Sequence, residues 1–168
     1  MILGIDPGLA NTGWAILELV SPSVCQSVSE NGEYKLVECG CLRTKITSNS
    51  AKRLNLIYEE LEELIKKYKV EAVVFESLFF AKNAKSALKV AEAIGVIKVC
   101  GERNRVEVVE FTPLQVKMAL VGYGRAEKEQ VEIMVREFLN LKENISPSHA
   151  SDAVAVALTY LFTNRQLS

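Results

Sequence analysis

Short apolar runs alternate along this chain with longer stretches in which apolar positions recur every three or four residues. Ile2-Leu3-Gly4-Ile5 is such a run; it ends at Asp6, and Pro7-Gly8 then enforces a turn, because proline fixes φ and glycine accepts positive φ. Trp14-Ala15-Ile16-Leu17 follows, so the opening reads as a buried strand, a tight reversal and a second strand. Residues 19–32, rich in Ser, Asn and Gly, read as a loop or a loosened hairpin tip, and Glu33 to Thr44 alternates as a third strand, completing an antiparallel meander. Ala51 to Lys69 places Leu54, Ile57, Leu61, Leu64, Ile65 and Tyr68 at helical spacing, with glutamates and lysines on the opposite, solvated side. Val70 to Phe75 is β-branched and apolar, as a strand buried on both faces would be, and ends in Glu76.

A helix is predicted from Asn83 to about Cys100, with Ala87, Leu88, Ala91, Ile94, Gly95 and Ile97 close to one stripe; many are small, so a second helix could approach closely. Val106 to Phe111 makes a fifth strand. Thr112-Pro113-Leu114-Gln115 is a helix start, with Thr112 as cap, Pro113 in the first turn and Gln115 closing a capping box. That helix runs to about Val121, where Gly122-Tyr123-Gly124 breaks it; Glu127 to Leu139 is another, and Ser146-Pro147 opens a last one through about Phe162. The order βββαβαβααα predicts one α/β domain over residues 1–168, in which strand–helix–strand crossovers make the later strands parallel.

A length of 168 residues with 49% hydrophobic and 24% charged content fits a single soluble globule. No apolar run approaches the roughly 18 residues of a membrane span, and no basic region precedes the short apolar opening as in a signal peptide, so the cytoplasm is the expected compartment. Cys39 and Cys41 would share a strand face, but there is no C-x-x-C pair and the single histidine is distant, which argues against zinc and for reduced thiols. The net charge of −1 argues against a nucleic-acid partner, yet residues 77–105 carry six Lys or Arg against two Glu. A phosphate-binding face on a nearly neutral protein is compatible with that pattern.

Candidate chemistry lies in four residues. Asp6 and Glu76 each end a buried strand, and His149 and Asp152, three apart, share one face of the last helix beside Ala150, Ala153, Val154, Ala157, Leu158 and Leu161. Alone, Asp6 has the turn aspartate bonded to its own backbone as its lesser alternative, while Asp152 reads equally as an acid favoured by the helix macrodipole. Together the four form a set whose carboxylates repel unless a divalent cation binds them, and oxygen ligands favour Mg²⁺ or Mn²⁺. Two such ions about 4 Å apart are suited to phosphodiester chemistry.

The literal strings carry a resemblance. GIDPG at 4–8, RTK at 43–45, LIYEEL at 56–61, FESLFFAKNAKSAL at 75–88, QVKMALVGYGRAEKEQVEIMV at 115–135 and HASDAVAVAL at 149–158 closely resemble the RuvC family of bacterial Holliday junction resolvases, in matching order from Met1 to about Leu161. The resemblance implies a ribonuclease H-like fold, a five-stranded mixed sheet flanked by helices. It also implies a homodimer, paired Mg²⁺-dependent nicks across a four-way DNA junction in recombination and repair, and the RuvA–RuvB branch-migration machinery as partner. Carried over by position, Asp6, Glu76, His149 and Asp152 match the catalytic residues, Phe79 an aromatic that stacks on a junction base, and Lys117 and Lys128 basic residues near the scissile phosphate. Lys82 and Lys85 join them as candidate DNA contacts, and the helix from Asn83 resembles the family's dimer helix. Position 149 is often aspartate in the family, histidine in some members.

Two other classes share part of this pattern. An ATP-binding domain of the actin and Hsp70 type also opens with an acid and a glycine turn, but needs a second phosphate loop and a much longer chain. A non-catalytic junction-binding protein of the same fold would have no need of the intact acidic set. For Phe79 and Phe80, alternation past the strand end predicts one exposed ring and one core ring.

Overall fold

The computed structural model describes residues 1–20, 34–78 and 84–165. Five strands, β1 (Ile2–Asp6), β2 (Asn11–Leu19), β3 (Tyr34–Arg43), β4 (Ala72–Glu76) and β5 (Glu107–Phe111), form one mixed sheet in the order β3-β2-β1-β4-β5. β1 pairs antiparallel with β2, and β2 with β3, while β1–β4 and β4–β5 are parallel. This is the expected meander joined to two parallel strands. The helices are α1 (Ser50–Tyr68), α2 (Ala84–Asn104), α3 (Pro113–Val121), α4 (Lys128–Phe138) and α5 (Ser148–Arg165).

Side-chain alternation divides the core between the two faces of the sheet. Leu3, Ile5, Trp14, Ile16, Val73 and Phe75 pack beneath α1 and α2 with Ile57, Leu61, Ala93 and Ile97. Ile2, Ala15, Leu17, Ala72, Val74 and Phe111 face the other way, against α5 and, beyond it, α3 and α4. α5 lies between sheet and outer helices, which is why nearly every residue from Ala150 to Thr159 is buried, on all sides rather than along the single predicted stripe.

Other expectations shift for local reasons. Val70 is buried but belongs to the cap of α1: Lys69 is left-handed and the Val70 N–H donates to the Ile65 carbonyl at 3.1 Å, so β4 begins at Ala72. α2 continues past Cys100 because Gly101 serves for packing: a Cβ there would overlap the Val108 side chain. The buried side of α2 carries Ala93, Ile94, Ile97 and Cys100, whereas Leu88, Ala91 and Gly95 of the predicted stripe are exposed. The capping box at Thr112 and Gln115 forms as expected, with left-handed Gly122 ending α3.

Candidate active site

Asp6 and Glu76 stand at the carboxyl ends of neighbouring parallel strands. The register places Ile5 opposite Phe75, so the next residues, the two acids, fall in one row and point to the α5 face. The chain beyond Asp6 is tightly held. Thr12 Oγ1 donates to the Gly8 carbonyl at 2.6 Å, Thr44 N–H to Ala10 at 3.0 Å and Thr44 Oγ1 to Leu9 at 2.5 Å. The buried Arg53 in turn donates from Nε to Thr44 Oγ1 at 2.8 Å. Beyond Glu76, the Ser77 N–H donates to the Phe111 carbonyl at 2.8 Å, tying that turn to β5.

The start of α5 reaches these acids because two strand glycines let it. A Cβ on Gly4 would overlap the Ala153 carbonyl, and one on Gly13 the His149 carbonyl, so the helix backbone lies directly on β1 and β2. Glycine inside a strand is a known mark of such close approach. His149 Nδ1 then lies 2.6 Å from Asp6 Oδ2, and Asp152 Oδ2 takes an ion pair from Lys128 Nζ on α4 at 2.7 Å. One ligand atom each from Asp6, His149 and Asp152 falls within 4.8 Å of the others.

The electrostatics show what crowding carboxylates costs. Burial first, and then Asp6 and Asp152, raise the Glu76 carboxyl from 4.5 to about 7 against the opposing pull of Lys117 and Lys128. Asp6 is raised as well, first by burial, with the His149 hydrogen bond opposing and Asp152 reinforcing. These are groups that a divalent cation would hold ionised. Two carboxylates and one imidazole at such separations, with the Glu76 carboxyl close enough to feel both acids, fit an oxygen-preferring ion of the Mg²⁺ or Mn²⁺ kind.

All four expected residues thus converge. Lys117, half-buried on α3, acts on Glu76, and Lys128 acts on all three acids. Phe79, Phe80 and Lys82 lie outside the described residues; Lys85 sits in the first turn of α2, its side chain likewise outside them. Sequence reasoning passed over Gly4 and Gly13 as packing positions, although glycine in an apolar strand was a readable signal. It also passed over Thr44 and Arg53, whose contact joins β3 to α1 and leaves no local pattern.

A family model described as Crossover junction endodeoxyribonuclease RuvC matches residues 2–160. Curated relatives of that name include one from Fusobacterium nucleatum, 38% identical over 160 residues, covering 95% of this chain and 79% of the relative. Another, from Clostridioides difficile, is 41% identical over 165 residues, covering 98% and 92%. The solved structure of Thermus thermophilus RuvC in complex with Holliday junction substrate superposes with a TM-score of 0.88 at 33% identity, over 98% of this chain and 94% of that one. A match of this length, on this sheet order and over the acidic centre, means that the chain belongs to the RuvC family of crossover junction endodeoxyribonucleases.

Proposed function

We propose that this protein is a structure-specific endonuclease that resolves four-way DNA junctions by metal-dependent phosphodiester hydrolysis, in recombination and repair. The observation that carries the reading is the convergence of Asp6, Glu76, His149 and Asp152 at one end of the sheet, with Glu76 raised to about 7 by burial and by its acidic neighbours. Such a set holds unfavourable charge in the absence of a cation. The relatives' names and the junction-bound neighbour support the substrate.

In this reading Asp6, Glu76, Asp152 and His149 hold Mg²⁺, with Mn²⁺ able to substitute and two ions per site. Bound there, such ions would supply Lewis-acid activation of a water and charge neutralisation at the leaving oxygen. The protein's own groups position. The hydrogen-bonded turn at Gly8–Ala10 fixes Asp6, and the close packing of Gly13 on His149 fixes the start of α5. Lys117 and Lys128 take the scissile phosphate, with Phe79, Lys82 and Lys85 on the approach to the junction.

Paired nicks require paired sites, and a homodimer through α2 supplies them. Leu88, Ala91, Gly95 and Val99, spaced for one face of α2, are exposed, and a Cβ at Gly95 would meet nothing within 4 Å. An apolar, small-residue helix face of that kind suits a second copy of the chain. The family resemblance extends the assembly to RuvA–RuvB. No described helix is long and apolar enough to cross a membrane; in this reading the cytoplasm is the site of action and residues 1–168 form one nuclease domain.

The test is cleavage of a synthetic four-way junction with Mg²⁺ against EDTA. Symmetric nicks with Mg²⁺ and none with EDTA are expected; cleavage in EDTA, or none with either Mg²⁺ or Mn²⁺, refutes the reading.

A further inference from the structure

The string Arg43-Thr44-Lys45 contributes to the family resemblance but has no part in the site so far. The sheet places it at the same end as the acids. β3 runs antiparallel to β2, and the rows Asp6–Gly13–Cys41 and Asn11–Arg43 bring the last residue of β3 to the edge where β1 and β4 end. Side chains two apart share a face, so Arg43 points with Cys41, Gly13 and Asp6 toward the α5 side. The Asp6 carboxylate and the Arg43 guanidinium both act on the Cys41 thiol, in keeping with that shared face. Two strand spacings, roughly 10 Å, separate β3 from β1. Lys117 approaches from the opposite side, on α3 after β5, beside Glu76.

Thr44 turns the other way and is buried. Its N–H and hydroxyl bind the Ala10 and Leu9 carbonyls, and Arg53 backs the hydroxyl from α1. The two exposed cations flanking Thr44 are thereby fastened to the turn that follows Asp6. Among the described residues neither Arg43 nor Lys45 forms an ion pair, whereas Lys128, on the other flank of the acids, is held by Asp152. Exposed Arg and Lys at strand ends are ordinarily plain solvated charges; these two are rigidly backed, without a carboxylate partner among the described residues, on the rim of an anionic-substrate site.

We propose that Arg43 and Lys45 form a second phosphate-binding lip, across the acidic centre from Lys117 and Lys128, that grips the DNA backbone on the β3 side of the cut. This rests on the reading of the substrate as junction DNA. A strand held at both rims is stretched over Asp6 and Glu76, and the β3-side grip moves as one body with the Asp6 turn because Thr44 joins them. The contact is to phosphate and reads no bases.

The experiment is the salt dependence of junction affinity, measured by fluorescence anisotropy in EDTA with the full-length protein. Arg43→Ala and Lys45→Ala should each flatten the log–log slope by about 0.9, and the double variant by about twice that, to a similar degree for junctions of different sequence. Arg43→Lys should restore the slope, and Arg43→Gln should repeat the alanine result with more of the side chain kept. Melting temperatures of all five variants should match wild type, since both side chains are exposed. A double variant with the wild-type slope overturns the lip. A slope lost equally in Arg43→Lys also overturns it, because charge would then not be the cause. If wild type neither binds nor cleaves the junction, the reading of the substrate fails and the lip fails with it.

Discussion

Glu76 offers a test of the acidic centre that needs no DNA. Its carboxyl is raised from 4.5 to about 7, by burial first and then by Asp6 and Asp152. The folded state therefore binds this proton more tightly than the unfolded chain does. The corresponding stability is fully present below about pH 4.5 and is lost as pH rises through about 7. A difference of about 2.5 pKa units corresponds to roughly 3 kcal/mol at 1.36 kcal/mol per unit. The carboxyl retains some solvent contact, and screening reduces the figure to about 2 kcal/mol. In a chain of this length 1 kcal/mol moves the melting temperature by about 2–4 °C. Glu76→Gln removes the charge at every pH. In EDTA at pH 8 the variant should melt about 4–8 °C above wild type, and the gap should close by about pH 4.5. Added Mg²⁺ should stabilise wild type more than the variant. Calorimetry or circular dichroism from pH 4.5 to 8 measures this. Parallel curves for the two proteins across that range would refute the argument that burial among like charges sets the state of Glu76.

Asp6→Asn and Glu76→Gln should each lower junction cleavage by about 100-fold or more while leaving gel-shift affinity in EDTA within a few-fold of wild type, since losing even a group that supports a ligand costs about 10–100-fold. Lys128→Met should tighten Mn²⁺ binding to the DNA-free protein about two- to fivefold, read by electron paramagnetic resonance of free Mn²⁺. The ion no longer displaces an ammonium 2.7 Å from Asp152, and a part-exposed pair of this kind is worth about 0.2–1 kcal/mol; unchanged or weaker binding contradicts this. Gly13→Ala should cost about 1–3 kcal/mol in a denaturant melt, because the new methyl meets the His149 carbonyl. Cleavage should fall further, by about 100-fold, since a shift of about 1 Å in reacting groups has that effect; an active Gly13→Ala protein would show that α5 has room to move.

The parts of the site legible in the sequence were those written in local contrast. Asp6 and Glu76 each interrupt an apolar run at its end, and Asp152 is a lone acid in an apolar helix, so each stood out from its neighbours. Their meeting was readable only because strand–helix–strand order makes β1 and β4 parallel. Periodicity failed for α2, which is apolar on more than one side: it could not tell Ala93, Ile97 and Cys100, which meet the sheet, from Leu88 and Gly95, which do not. Burial of α5 on all sides defeated it in the same way. Arg53 was beyond reach, since a charged residue in an acidic and basic helix looks solvated until Thr44 and the Leu9 carbonyl are known to stand over it.

The pairing of β1 with β4 acts as a ruler. Hydrogen-bonded strands keep a spacing of about 4.8 Å whatever their side chains, so the separation of Asp6 from Glu76 is written in peptide geometry rather than in core packing. Substitutions in the surrounding apolar layers leave that one separation alone. Its weak point is parity. Removing one residue from the bend at Lys69–Glu71 could slide β4 by one position, which turns Glu76 toward α1 and α2 and sends Phe75 into the acidic face. The spacing of this pair of acids is robust to exchange of residues around it and brittle to their number.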